Sequence, residues 1–447
     1  MQRKDLKMKK ALLWLVTLML IATFTLVGCK AAEVVVEEEA VAPAEGEEAV
    51  VVEEAPALIE LSYWTLFSGG EGDYMTTMVN QFNDEHPNIK VVETRCKWEE
   101  YYPKLTTALV AKSGPDIGIM HTATLPDFAS KNVLNPVDVE KLADIDDFVP
   151  SILAGGKYNG VQYAIPIDTH PLVLYYNKSV LREAGLVDDQ GNPLVPENGD
   201  ELLEYARQVK VETGKWGLSI EVIGYMVFRW WYGMLNQQGG SLLDNDGKAA
   251  AFADEKGLKA LEYINQFITE GLAATSVSYP DSEAIFTVNE SAFNINGVWA
   301  MGSYVLIDDP NFDFGVTLLP QVYGKPAVWG DSHNLVFPIQ KTPDEKKLEA
   351  GLIFADWLSA HATEWTKAGH LPIRKSVQED PEFLSMEGRK DYVETANFVV
   401  YPPSVVGWTE IQEVLKEMTE LVLVAGEDPE VALKDSAEKV DDILASR

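Results

Sequence analysis

The sequence predicts an α/β fold, on three observations. Apolar residues alternate from Ile59 to Trp64, as they do in a strand with one buried face. Met75, Met78, Val79 and Phe82 fall at i, i+3, i+4 and i+7, which is one apolar face of a helix. The two patterns then repeat: Ile89 to Glu93 as strand, Trp98, Tyr102, Leu105 and Leu109 as helix, and Asp116 to Met120 as strand. Strands that alternate with amphipathic helices build a parallel sheet covered by those helices.

Two segments precede the first strand. Arg3, Lys4, Lys7, Lys9 and Lys10 make a basic start, and the apolar run from Ala11 to Val27 follows it. That run is short for a membrane span of roughly 20 residues, and a basic flank with a short apolar core is the signal-peptide pattern. Its end, Leu26-Val27-Gly28-Cys29, resembles a bacterial lipoprotein cleavage box. Residues 1–28 are therefore expected to be a lipoprotein signal peptide and Cys29 the lipidated residue; a plain transmembrane anchor and an ordinary secretory signal are the alternatives. Residues 29–57 place nine glutamates among Val, Ala and Pro, with no basic residue after Lys30. Such a segment repels itself and buries little, which predicts an extended tether.

Each later element has its own signal. Ser68-Gly69-Gly70 opens the first helix and Pro87 stops it. Gly114-Pro115 breaks the chain before the third strand. Gln162 to Ile167 and Leu172 to Asn177 read as strands around Asp168-Thr169-His170-Pro171. Helices follow at Lys178 to Ala184 and Asp200 to Glu212, closed by Gly185 and Gly214. Asp246-Gly247 suggests a hairpin turn between Leu242 and Phe252. Asp244 and Asp246 give that turn a calcium-loop flavour, but no glutamate closes a twelve-residue loop. Leu258, Leu261, Ile264 and Ile268 mark a helix, and Ile411-Leu415-Met418-Val422 and Leu433-Ala437-Val440-Leu444 mark two more.

Composition removes several function classes. A chain of 447 residues is too long for one core, so two or three domains are expected. Seventy acidic residues against 36 basic ones leave a net charge of −34, which argues against a nucleic-acid or anionic-membrane surface. Cys29 and Cys96 are the only cysteines, too few for a disulfide framework. Ser68-Gly69-Gly70-Glu71-Gly72 lacks the spacing and the lysine of a phosphate loop. The six histidines, His86, His121, His170, His333, His361 and His370, lack metal-ligand spacing, so no metal and no cofactor is expected. No fixed repeat is present, which removes solenoids and propellers.

Five blocks, in order, carry a resemblance across nearly the whole mature chain. They are Phe82 to Val91 (Phe-Asn-Asp-Glu-His-Pro-Asn-Ile-Lys-Val), Gly114-Pro115-Asp116-Ile117, Gly160 to Asp168 running into Leu174-Tyr175-Tyr176-Asn177-Lys178, Ala292 to Trp299, and Gly369 to Arg374. Together they resemble the extracellular solute-binding proteins of bacterial ABC importers, in the sugar-binding branch that includes maltose-binding protein. The resemblance implies a two-lobed periplasmic-binding-protein-like fold with a multi-strand hinge and an interlobe ligand cleft. By that analogy residues 58–167 with 311–373 form lobe 1, and residues 168–310 with 374–447 form lobe 2. Closure of such lobes is a rigid-body motion that a permease can read.

A sugar offers apolar C–H faces to aromatic rings and hydroxyls to polar edges. Eleven tryptophans supply candidates. Core packing is the reading for Trp14, Trp216, Trp357 and Trp365, whereas Trp64, Trp98, Trp230, Trp231, Trp299, Trp329 and Trp408 stand beside turns or glycines, with at least one of Trp230 and Trp231 expected in the core. Trp299 follows Gly297 at a strand end, and the resemblance implies that it stacks on the sugar. His121 lies just beyond the third strand, where parallel sheets place their ligand loops. Asp168 and His170 lie in the first crossover. Trp329, Asp331 and His333 share one short loop, Arg374 stands alone among neutral residues, and Glu71, Asp73 and Tyr74 open the first helix. Replacing Trp299 or Asp168 by Ala is expected to abolish ligand binding with little effect on the free protein's melting temperature.

The resulting expectation is a monomeric, lipid-anchored substrate-binding subunit that captures a di- or oligosaccharide outside the cytoplasm and hands it to ABC permease subunits. It has no catalytic residues on this reading. The alternative is a secreted glycoside hydrolase, which also needs aromatics and two carboxylates.

Overall fold

The structure, a computed structural model, describes residues 57–447. The expected signal peptide, Cys29 and the tether through residue 56 lie outside the described residues. The first strand, β1 (Ile59–Thr65), helix α1 (Gly69–Glu85), β2 (Ile89–Arg95), α2 (Trp98–Val110) and β3 (Ile117–His121) follow the predicted order. The buried face of α1 is Met75, Met78, Val79 and Phe82, as the periodicity requires. Asn83 fastens its end to β2 through a bond from Val91 N (2.7 Å) and one to Val91 O (2.9 Å).

Two sheets organise the rest. The first has the order β2-β1-β3-β10-β4, where β4 is Ala164–Pro166 and β10 is His333–Val336. Strands β1, β2 and β3 are parallel, but β10 runs antiparallel to both β3 and β4. The sheet is therefore mixed and not the parallel sheet expected, because its last two strands are supplied by chain passing to and from the second sheet. The second sheet has the order β11-β9-β5-β7-β6: β5 is His170–Asn177, β6 Trp216–Ser219, β7 Ser291–Gly297, β9 Val328–Asp331 and β11 Val399–Val400. Strand β8 (Phe314–Thr317) joins it by pairing antiparallel with β5. The strand expected over Gln162 to Ile167 is broken at Tyr163, and the expected hairpin at Asp246-Gly247 is a turn carrying a single bridge, Leu243 to Ala250, with the Asp244 carboxylate accepting from Lys248 N at 2.7 Å.

Each sheet has its own core. Around the first gather Leu61, Tyr63, Phe82, Tyr101, Ile119 and Phe354; around the second, Leu174, Trp230, Trp231, Ile295, Ile411 and Leu415. A third cluster, with Val173, Tyr175 and Phe286, also packs on the second sheet, and apolar clusters on either side of a polar junction make two lobes. The chain crosses between them at Ile167-Asp168-Thr169, at the single residue Ser332 between β9 and β10, and along Gly369–Arg374, where Leu371 bridges Thr169. The second crossing corrects the expected boundary near residue 311. Residues 314–331 belong to lobe 2, since Phe314–Thr317 and Gly330-Asp331 pair with β5.

Among the contacts that fasten lobe to lobe outside these crossings, one borders the space between them. Helix α3 (Leu125–Ala129) of lobe 1 carries the buried Asp127, which accepts from Thr409 N (2.9 Å), Thr409 Oγ1 (2.6 Å) and Gly407 N. These groups open α12 (Trp408–Leu423) of lobe 2; four helices of four or five residues aside, those between are α4 (Lys178–Glu183), α5 (Gly199–Thr213), α6 (Met226–Gln237), α7 (Glu255–Thr269), α8 (Tyr279–Thr287), α9 (Met301–Tyr304), α10 (Glu345–Ala360) and α11 (Ala362–Thr366). A carboxylate there satisfies orphan amides and faces the positive end of the helix dipole. Asp127→Ala is expected to lower stability by about 1–2 kcal/mol, the cost of a lost N-cap. Urea unfolding of the ligand-free protein reads this, and an unchanged midpoint would mean that water replaces the carboxylate without loss.

Candidate ligand site

A cavity of about 410 Å³ lies between the lobes, within the range of small-molecule pockets. Lobe 1 lines it with Trp98, Tyr102, His121, Thr124 and Phe128, and lobe 2 with Tyr225, Phe228, Arg229, Trp329, Asp331 and Trp408. The local folding explains the lobe 1 wall. Strand β3 ends at His121, and α2 presents Tyr101 to the core, fully buried, so its neighbour Tyr102 turns toward the cavity. The Tyr102 hydroxyl bonds His121 Nδ1 at 2.6 Å and accepts from His121 N at 3.0 Å.

Arg229 dominates the opposite wall. It is the one charged residue of α6, four positions after Tyr225 and hence on the same helix face. Its guanidinium lies over the Trp329 ring at 4.2 Å and near Tyr225 at 5.6 Å. Among the described residues its buried Nε has no hydrogen-bond partner, and no carboxylate comes within ion-pair distance of it. The buried Trp329 Nε1 is likewise without a partner. Buried donors are normally satisfied, so both point to groups that a ligand brings. Asp331, beside them, accepts from Ser332 N (2.8 Å) and Ala123 N (3.3 Å), and burial pushes its carboxyl up to about 7.

Behind the cavity the crossings converge on Asp168. Strand register brings them there: Asp331 pairs with His170 in the second sheet, and His333 with His121 in the first. The carboxylate of Asp168 receives His333 N (3.0 Å), His333 Nδ1 (2.8 Å), His170 Nδ1 (3.0 Å) and Trp365 Nε1 (2.8 Å). His370 stands 3.6 Å away through Nδ1, and its Nε2 bonds Glu71 Oε1 at 2.9 Å. Burial alone would raise the Asp168 carboxyl, but the imidazoles of His333, His370 and His170 outweigh that and hold it well below the usual carboxylate range. Burial drives His170 down to about 3, whereas His333 is raised because Asp168 outweighs its burial.

The candidates from sequence divide accordingly. Trp98, His121, Trp329 and Asp331 line the cavity. Asp168, His170, His333 and Glu71 belong to the junction behind it. Trp299 is adjacent: its ring lies 5.6 Å from His170 and 6.5 Å from Trp329, and its Nε1 donates to the Tyr279 hydroxyl. Gly297 permits that position, since a Cβ there would fall 2.0 Å from the indole.

The other candidates sit away from the cavity. Trp230 is a core residue packed edge-on to Tyr263 and Phe267. Trp64 lies on β1 under Lys104, Tyr74 packs on the lobe 1 core, and exposed Asp73 pairs with Arg95 at 2.7 Å. Arg374 is buried in lobe 1, held by Ser359 Oγ, Ala143 O and Asp356 Oδ1. Its alternative reading, a balance for a carboxylate, describes it. Trp408, one of the tryptophans beside a glycine, also lines the cavity, whereas Arg229, Tyr225 and Tyr102 were not among the sequence candidates. The available signal for Arg229 was its solitude in an otherwise uncharged helix.

Comparison with known proteins gives a consistent picture. The sequence profile of the family described as bacterial extracellular solute-binding protein matches residues 77–390. The arabinooligosaccharide-binding protein of Halalkalibacterium halodurans is 26% identical over 431 residues, covering 88% of this chain and 92% of its own. A putative binding protein of Brucella abortus is 25% identical over 394 residues, covering 85% and 91%. Among solved structures, the GacH receptor of Streptomyces glaucescens, determined unliganded and with acarbose, superimposes with a TM-score of 0.77 at 25% identity, covering 87% of this chain and 99% of that one.

Proposed function

The chain belongs to the bacterial extracellular solute-binding proteins, and we propose that it captures a di- or oligosaccharide between its lobes and delivers it, chemically unchanged, to the permease of an ABC importer. The observation that carries this reading is the interlobe cavity, where Trp98, Tyr102 and Trp329 offer ring faces and Arg229 and Trp329 offer unpartnered N–H donors. Rings suit the C–H faces of sugars and donors suit their hydroxyls. Lobe closure then brings the two walls onto the ligand. The similarity to a protein named for arabinooligosaccharides and to a receptor solved with acarbose supports an oligosaccharide.

The protein works outside the cytoplasm, as its family does. On our reading Cys29 carries a lipid that anchors a monomer to the outer face of the membrane, with residues 30–57 as its leash. We read it as a binder and not as a glycoside hydrolase, a reading that the family match and the oligosaccharide-binding relative support.

Thermal unfolding of the purified protein against mono-, di- and oligosaccharides tests this. A sugar at a hundredfold over its dissociation constant adds about 2.7 kcal/mol, which for a chain of this size is a shift of a few degrees. Chromatography of the same samples checks for breakdown. A shift with one sugar class and no products is the expected result. Products would mean an enzyme, and no shift with any sugar would remove the sugar reading.

A further inference from the structure

The geometry points to a second site: we propose that Asp168, His170, His333 and His370 bind one divalent transition-metal ion of the zinc class at the junction of the crossings. One donor atom from each of the four lies within 4.8 Å of the others. Their exposures are 0%, 2%, 4% and 0%. None of the four is used by the cavity's binding wall as described above.

The strongest argument is His370. A carboxylate only accepts, so the 2.9 Å bond to Glu71 requires the proton of a neutral His370 to sit on Nε2. Its Nδ1 is then a lone pair, buried, without a partner among the described residues, and 3.6 Å from an oxygen of Asp168. A lone pair facing an anionic oxygen in a dry interior is repulsive, and a cation between them relieves it. The Glu71–His370 pair is also the arrangement by which a carboxylate orients a metal-ligating imidazole and makes it more basic.

The donor set selects the ion. Three imidazoles and one carboxylate suit zinc, cobalt, nickel or copper, whereas calcium and magnesium prefer oxygen ligands. Four protein ligands make a closed, structural site with no open position for chemistry. Charge balances as well, since one dication offsets the carboxylates of buried Asp168 and partly exposed Glu71. Trp365 Nε1 and His333 N hold the Asp168 carboxylate through bonds that do not involve the imidazoles, so the ligand is oriented before the ion arrives. Without the ion, Nδ1 protons of His170 and His333 occupy that carboxylate. An ion at Nδ1 takes a neutral ring with its proton shifted to Nε2, and any imidazolium must first give up a proton to solvent, so affinity falls with acidity.

The test needs no sugar, so its outcome is independent of the transport reading. The purified protein is stripped with a chelator, dialysed and titrated with Zn²⁺ by calorimetry, and Co²⁺ is added to a second sample for its visible spectrum. Expected are one Zn²⁺ per chain, a rise of a few degrees in melting temperature, and the intense bands of four-coordinate Co²⁺. Glu71→Gln, at a partly exposed position that does not threaten folding, should weaken Zn²⁺ about ten- to a hundredfold as an orienting residue does. His370→Gln should abolish the Co²⁺ bands. The absence of stoichiometric Zn²⁺ binding by the unsubstituted protein overturns the proposal, and so does binding that both substitutions leave unchanged. His370 would then be an imidazolium held between two carboxylates.

Discussion

Arg229→Met should weaken sugar binding about tenfold to a hundredfold and leave the melting temperature of the free protein nearly unchanged. The guanidinium has no hydrogen bond or ion pair within the described residues, so removing it orphans no partner. Methionine keeps the stem that packs on α6 and Trp329. What is lost is a charged donor to the ligand, worth about 1.5–3 kcal/mol, and 1.4 kcal/mol is tenfold in affinity. Calorimetric titration with whichever sugar shifts the unfolding curve reads the change. An unchanged dissociation constant would leave Arg229 as a cation packed on a ring and nothing more.

Asp168→Ala should have the opposite signature. The expectation from sequence was a lost ligand contact in an otherwise unaltered protein; the structure reverses it. Asp168 is fully buried and receives four donors from the crossings and from Trp365. Removing a buried charge partner typically costs about 3–5 kcal/mol, because the groups left behind have neither partner nor water. Scanning calorimetry without sugar should therefore show a large fall in melting temperature, and any fall in sugar affinity would be secondary. A melting temperature equal to that of the unsubstituted protein would mean that water enters and rehydrates the donors, and the junction would not depend on its carboxylate.

These two residues mark how far the sequence was legible. Periodicity found the strands and helices of the first half, because burial of a face on each is a local demand that neighbouring residues record. A strand was readable over Leu335 to Pro338, but the antiparallel pairing of β10 was not, since its register comes from His121 and Met120 far upstream in the chain. Tryptophans could not be sorted for the same reason. Trp329 and Trp230 both stand beside apolar residues, yet one lines the cavity and the other lies between Tyr263 and Phe267. Histidines at positions 170, 333 and 370 have no spacing of metal ligands along the chain, and only the crossings bring them to one carboxylate. Arg229 was passed over beside Trp230 and Trp231, whose rings drew the reading to sugar stacking. The five motif blocks fared better because they mark the crossings and strand ends, the parts of the chain that the two-lobed architecture uses most.

The second crossing, a single residue between β9 and β10, ties the two lobes into one continuous strand phase. Side chains two apart on an extended chain share a face, so Asp331 in the cavity and His333 on Asp168 keep their sides together across Ser332. Inserting one residue there would invert one of them relative to the other, whatever the new residue was, and deleting Ser332 would do the same. Inserting two would restore the alternation. Parity, more than side-chain identity, is what this crossing must preserve, and length variation is tolerable only where the chain leaves that shared strand.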